Sequence, residues 1–271
     1  MSRIARKLLV GVAATGACLS MFSGLAFAEE DKPTADLTVG ALSQYVWRGF
    51  AYTKDSVVVQ PSMTVGYKDF SFNLWGNVDT DRWDGTTEGT DNWTETDLTM
   101  SYAWTMGPVN FSAGYIYYVL DEPASVSGTD TQEVFLSATL NTLLSPTLKV
   151  YRDIDHFAGW YATLGVSHSL LIKDDIALTL GAQVSYLAAD EASSYADPDD
   201  ATEEYNDFHD GVLSASLKIP VNKYIAVTPQ VYYSFPLSSD AEDRLKADNT
   251  TYIGRNDADF LYGGVSVSMT F

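Results

Sequence analysis

The stretch Leu261-Tyr262-Gly263-Gly264-Val265-Ser266-Val267-Ser268-Met269-Thr270-Phe271 alternates with a period of two. Leu261, Gly263, Val265, Val267, Met269 and Phe271 share one face; Tyr262, Gly264, Ser266, Ser268 and Thr270 share the other. Side chains alternate across a strand but return every 3.6 residues on a helix, so this is a strand. Its polar face carries small hydroxyls, where a solvated sheet surface would carry many Lys and Glu. An apolar row opposite serines suits a barrel wall, with lipid outside and a narrow wet interior.

The same alternation runs back through the chain. One face of 37–47 reads Leu37, Val39, Ala41, Ser43, Tyr45, Trp47, and the other Thr38, Gly40, Leu42, Gln44, Val46, then Arg48. Val57, Val59, Pro61, Met63, Val65 and Tyr67 oppose Ser56, Val58, Gln60, Ser62, Thr64 and Gly66. Phe70, Phe72, Leu74 and Val78 oppose Ser71, Asn73, Trp75, Asn77 and Asp79. Leu98, Met100, Tyr102 and Trp104 oppose Glu95, Asp97, Thr99 and Ser101, and a strand from Val109 to Tyr118 follows. Further segments lie near 131–140, 147–155, 159–170, 176–187, 208–218 and 224–235, which makes twelve with the last stretch. In 147–155 Arg152 falls on the apolar face, and a bulge is the expected reason. Phe271 closing the chain resembles the terminal strand read by the outer-membrane barrel insertion machinery, which is therefore an expected partner.

Connections differ by side. Those around Lys68-Asp69, Thr105 to Pro108, Asn141 to Ser145, Ile172 to Asp175 and Pro220 to Lys223 are short; those at 49–55, 80–93, 121–130, 188–207 and 236–257 are mostly longer. Only 155–158 departs from this order. Tight turns on one side and long loops on the other mark an outer-membrane barrel. Strands of about 10 residues tilted about 45° span the hydrocarbon layer. Tyr45, Trp47, Tyr67, Phe70, Tyr102, Trp104, Tyr224 and Phe235 at strand ends are expected as interfacial girdles. In lipid every backbone N–H and C=O needs a partner, and only a closed sheet leaves no edge. The expectation is an all-β fold: a 12-stranded antiparallel transmembrane β-barrel with both termini periplasmic, in contact with outer-membrane lipids and lipopolysaccharide. Twelve strands leave a lumen between the side-chain-filled eight-stranded barrel and the wide 16-stranded porin, here narrowed by Trp75, Tyr118 and Tyr161.

Residues 1–28 read as a signal peptide to be removed. Arg3, Arg6 and Lys7 precede an apolar stretch from Leu8 to Leu19, and Ala26-Phe27-Ala28 supplies the small-x-small cleavage site before Glu29. Cys18 raises a lipoprotein alternative, but Thr15-Gly16-Ala17 before it fits that poorly. The barrel domain is then 29–271. The chain has 16 Lys+Arg against 36 Asp+Glu, a net charge of −20, which excludes nucleic acid, because phosphate binding needs clustered bases. A single Cys and three His argue against thiolate or His-built metal centres, and no cofactor is expected.

Ser43-Gln44-Tyr45-Val46-Trp47-Arg48-Gly49-Phe50, and after Gln60 the run Trp75-Gly76-Asn77-Val78-Asp79, resemble the start of the TorF-type porin family of Gram-negative bacteria. The match is clearest over 36–104. In that family an aromatic-x-Arg-Gly element begins the barrel and a Trp-Gly strand precedes an acidic loop. The resemblance implies an outer-membrane barrel and leaves the solute open.

The candidate pore-lining residues are Arg48, Gln60, Asn73, Trp75, Asn77, Glu95 and Asp97, all of inward parity. A buried Arg in a narrow lumen needs an anionic partner, and Glu95 and Asp97 are the candidates. The pair either filters solutes as a charge constriction or braces the barrel. Lys149, Tyr151, Asp153 and Asp155 share a parity and form a second candidate patch near Tyr161. Acidic loops carry Asp79, Asp81, Asp84, Glu88 and Asp91; Asp190, Glu191, Asp197, Asp199, Asp200, Glu203 and Glu204; and Asp240, Glu242 and Asp243. They read either as solvated surface or as divalent-ion bridges to lipopolysaccharide, and as a mouth that favours cations at low salt. No Gly-x-Ser-x-Gly element occurs; His168 has outward parity and Ser169 beside it the opposite parity, so the two cannot meet as a dyad, and His156 and His209 lack an evident nucleophile. The reading is a passive channel for small hydrophilic solutes, not an enzyme. Alternatives are a plugged structural or adhesive barrel with partner-binding loops, and an outer-membrane lipid hydrolase.

Overall fold

A computed structural model describes residues 32–82, 92–120, 130–173 and 175–271. The signal-peptide segment 1–28, Cys18 and the loop acids Asp84, Glu88 and Asp91 lie outside the described residues.

The alternating segments form twelve barrel strands, with two short strands in the first connection. In chain order these are β1 (Thr34–Leu42), β2 (Val46–Trp47), β3 (Phe50–Ala51), β4 (Val58–Tyr67), β5 (Phe70–Asp79), β6 (Trp93–Met106) and β7 (Val109–Leu120). They continue with β8 (Thr131–Leu140), β9 (Thr147–Asp153), β10 (Gly159–Lys173), β11 (Ile176–Ala189), β12 (Asn206–Pro220), β13 (Ile225–Pro236) and β14 (Phe260–Thr270). One helix, α1 (Ser239–Ile253), lies between β13 and β14. Each barrel strand pairs with its sequence neighbour in antiparallel fashion, and β1 closes the sheet on β14. Reciprocal bonds between Ala35 and Phe271 (2.8 and 3.0 Å) extend the seam beyond the last strand pair. Gly264 is required there, because a Cβ would stand 1.9 Å from the Ala41 carbonyl oxygen.

Burial along β14 runs opposite to that of a soluble sheet. Val265 and Val267 are 40 % and 47 % exposed, while Ser266 between them is 7 % exposed. The same inversion holds on β1, where Val39 is exposed and Thr38 buried. The apolar face points away from the barrel and the hydroxyl face into it. Aromatic rows ring the wall near both ends: Phe70, Tyr102, Trp104 and Phe111 follow one another at 4.9–6.0 Å near the short turns. Tyr186 with Phe208 and Tyr233 with Phe235 (both 5.4 Å) stand near the long connections.

Three departures from simple alternation matter. β1 ends at Leu42, so Ser43 to Arg48 leave the wall, and Tyr45 and Trp47 turn into the lumen instead of joining a girdle. β9 pairs with β8 and β10 without a bulge; Arg152 faces outward and forms a bidentate pair with Asp190 beside Trp160. A register shift between Val184 and Tyr186 on β11 sets His209 and Asp210 of β12 together, and both are buried. A bulge does this by placing two residues opposite one.

Candidate functional site

The site is a hairpin inside the barrel. Val46 pairs with Ala51 and Trp47 with Phe50, which leaves Arg48 and Gly49 as a two-residue turn. Both have positive φ (51° and 80°), the signature of a type I′ turn. Gly49 suits this conformation, and its small size admits Leu245 of α1 and Asp210 of β12 alongside.

Taken in chain order, the hairpin and the residue leading into it meet nearly the whole wall. Tyr45 donates its hydroxyl to Glu95 Oε2 on β6 at 2.7 Å and lies 5.7 Å from Trp75 of β5. Trp47 meets Tyr118 of β7 edge-on at 6.1 Å. The Arg48 guanidinium forks onto Glu133 of β8, with both N–O distances 2.8 Å. It lies between the rings of Trp47 (4.2 Å) and Tyr161 of β10 (4.3 Å), with Tyr151 of β9 at 5.1 Å. Phe50 packs 5.2 Å from His209 of β12, in one cluster with Leu187 of β11. Val46 and Ala51 cluster with Val212, Tyr232, Phe260 and Tyr262 from β12, β13 and β14. A segment that touches β5 to β10 on one side and β12 to β14 on the other spans the lumen's width.

Each element contributes to holding it. Tyr118 Oη donates to Glu133 Oε2 at 2.7 Å, so one carboxylate serves two donors. The Arg48 carbonyl can only accept, so His209 Nε2 carries the proton of their 2.9 Å bond, and Nδ1 meets the Tyr205 hydroxyl at 3.1 Å. Tyr161 and Ser185 both donate to Asp210 Oδ1, at 2.8 and 2.5 Å. Ala51 N donates to Asn249 Oδ1 on α1, whose Nδ2 donates to the Asp257 carbonyl. Burial opposes the Arg48 charge, but the attraction and hydrogen bonds of Glu133 more than reverse this and hold the guanidinium ionised. Removing one member of such a pair leaves a buried charge unmatched, at a cost of about 3–5 kcal/mol.

The other candidates surround this hairpin. Gln60 donates to Asn77 Oδ1 (3.0 Å), and Asn77 donates to Thr94 (2.7 Å). Asn73 donates to Ser62, Thr64 and the Met63 carbonyl. Trp75, Glu95 and Asp97 are buried on the inward face. Arg48 itself is a turn residue, not a strand residue, and its carboxylate is Glu133, not Glu95 or Asp97. Lys149, Tyr151 and Asp153 face inward, whereas Asp155 lies past β9 and accepts from Gln132 on the outer side. His168 Nδ1 is bonded to the Leu143 carbonyl at 2.8 Å. Strand periodicity does not single out Glu133, His209, Asp210 or Asn249; the local signal for Asn249's helix is Ser238, the N-cap of α1, whose hydroxyl accepts from Ala241 N at 3.0 Å.

No protein-family profile matches the chain, and no curated protein matches it in sequence. Solved structures match in fold. The KdgM porin aligns with a TM-score of 0.51 at 12 % identity, covering 87 % of this chain and 99 % of its own. The NanC porin gives 0.50 at 9 %, covering 87 % and 98 %. An outer membrane channel from Pseudomonas putida gives 0.51 at 10 %, covering 92 % and 98 %. The chain shares the fold of these channels over nearly their whole length.

Proposed function

We propose that this chain is an outer-membrane channel through which small hydrophilic solutes diffuse passively, with long connections outside and both termini periplasmic. The observation that carries it is the closed wall with apolar side chains exposed outward and hydroxyls, amides and acids inward, in a fold shared with porins. Buried inward acids Glu95, Asp97, Glu133, Asp153 and Asp210, with the acidic connections, support a preference for cations. The TorF-type resemblance agrees with this reading, since its Trp47-Arg48-Gly49-Phe50 element is the lumen hairpin. Lipopolysaccharide contact and capture by the insertion machinery through Phe271 belong to the same proposal. The hairpin spanning the lumen favours a second reading, a plugged structural barrel.

Planar-bilayer recording separates the two. Reproducible conductance steps with a cation-selective reversal potential support the channel; silence supports the plug. Arg48→Ala is expected to change conductance or ion preference, because the turn then loses its anchor on Glu133. An unchanged current with lowered thermal stability would reduce Arg48 to a brace.

A further inference from the structure

Between the hairpin and the short turns, the inner wall of β7 to β10 carries a row of hydroxyls with one ammonium among them. Ser112 of β7 pairs with Ser137 of β8, Ser137 with Lys149 of β9, and Lys149 with Thr163 of β10. Neighbouring strands lie about 4.8 Å apart, so Ser137 and Thr163 flank Lys149 directly. Lys149 is partly exposed to the lumen and makes no hydrogen bond or ion pair with any described residue. Ser112 Oγ, two strands away, is buried and also lacks a hydrogen-bond partner.

The nearest acids on β9 itself and on the adjoining β8 are committed elsewhere. Glu133 holds Arg48 and Tyr118, and Asp153 accepts from Thr131 at 2.7 Å. Each lies four residues further along its strand, about 13 Å at 3.3 Å per residue. An ammonium drawn out of bulk water with no counter-charge carries a desolvation penalty that an anion would offset. Hydroxyls on both sides supply donors for its remaining oxygens.

We propose that Lys149, Ser137 and Thr163 bind the carboxylate or phosphate group of a small solute entering from the short-turn mouth. The channel reading enters only through that solute's arrival; the site stands on its own geometry.

The test uses the refolded barrel in detergent. Cyanate carbamylates accessible amines, and peptide mass spectrometry follows Lys149 beside the turn lysines Lys68 and Lys223. Sodium phosphate and sodium acetate are titrated separately, with chloride holding ionic strength constant. Saturable slowing at Lys149 of about fivefold or more by either anion, with little change at the turn lysines, supports the site. Ser137→Ala should then raise the half-protecting concentration several-fold. No protection by either anion, or equal protection at all three lysines, overturns it. A barrel silent in bilayers but protected at Lys149 keeps this site and removes the channel. A conducting barrel unprotected at Lys149 does the reverse.

Discussion

At the scale of single residues, the lumen hairpin depends on a turn that most side chains resist. Gly49 sits at φ 80° with its α-carbon against Leu245 and Asp210; an added Cβ would stand 3.0 Å from Leu245 Cδ1 and 3.3 Å from Asp210 Cβ. A left-handed conformation costs an alanine about 1–2 kcal/mol, and the crowding from α1 adds to it. Gly49→Ala should therefore loosen residues 46–51 while the barrel strands stay paired. Hydrogen exchange checks this: amides of the hairpin, Ala51 above all, should exchange about tenfold faster, with β13 and β14 unchanged. Unaltered exchange at Ala51 would mean that the turn carries no strain and that Asn249 alone holds the segment. Arg48 beside it tolerates positive φ because Glu133, two aromatic faces and His209 constrain its side chain and carbonyl together.

At the scale of elements, the connection from β11 to β12 is clamped to the wall by an ion pair whose acid responds to pH. Asp190, first in the connection from β11 to β12, is hydrogen-bonded by the two terminal guanidinium nitrogens of Arg152, which hold its carboxyl below the usual range. A depressed carboxylate stabilises the folded state above its ordinary pKa, near 4, and that contribution fades as pH falls through the lowered value. The 190–205 connection should thus stay docked at neutral pH and open in acid. Asp190→Asn should weaken protection at pH 7 and flatten its acid dependence, measured by exchange corrected for intrinsic rates. An equally steep acid opening in the variant would assign the effect to other acids. Elements also separate what was legible in the sequence from what was not. The barrel strands announce themselves, since one face of each must suit lipid and the other water. The hairpin does not, because Tyr45 and Trp47 continue the parity of β1 and no Pro or Gly marks the exit at Ser43. Helix α1 buries Ala241, Leu245, Asn249 and Ile253 at four-residue spacing on an otherwise polar surface, a stripe too thin to see before its partner is known. His209 and Asp210 were hidden by a bulge, which period-two counting cannot foresee. Glu133 was hidden by distance, for its pairing with Arg48 spans 85 positions and exists only once the wall has closed.

At the scale of the whole molecule, one property separates a membrane cylinder from a soluble sheet protein of the same composition: what lies against the exposed valines. Val39, near the middle of β1, and Val267 of β14 stand side by side on the outward face, with Val227 of β13 next in the row. Val267 is 47 % exposed. If water lay there, arginine would be nearly neutral, since exposed substitutions stay within about 0.5 kcal/mol. If acyl chains lie there, arginine at the bilayer midplane costs about 2–4 kcal/mol, falling to about 0–1 near the interfaces. Val267→Arg should therefore destabilise the barrel strongly, and Leu261→Arg, six residues up the same face toward the long connections, only slightly. Urea titration of each variant refolded into large lipid vesicles reads both numbers. The gradient along a single strand is the diagnostic quantity, because a general intolerance of positive charge would lower both midpoints equally. Equal and small effects at the two positions would remove lipid from the outer face. The pore would then lose its membrane, whatever its interior holds.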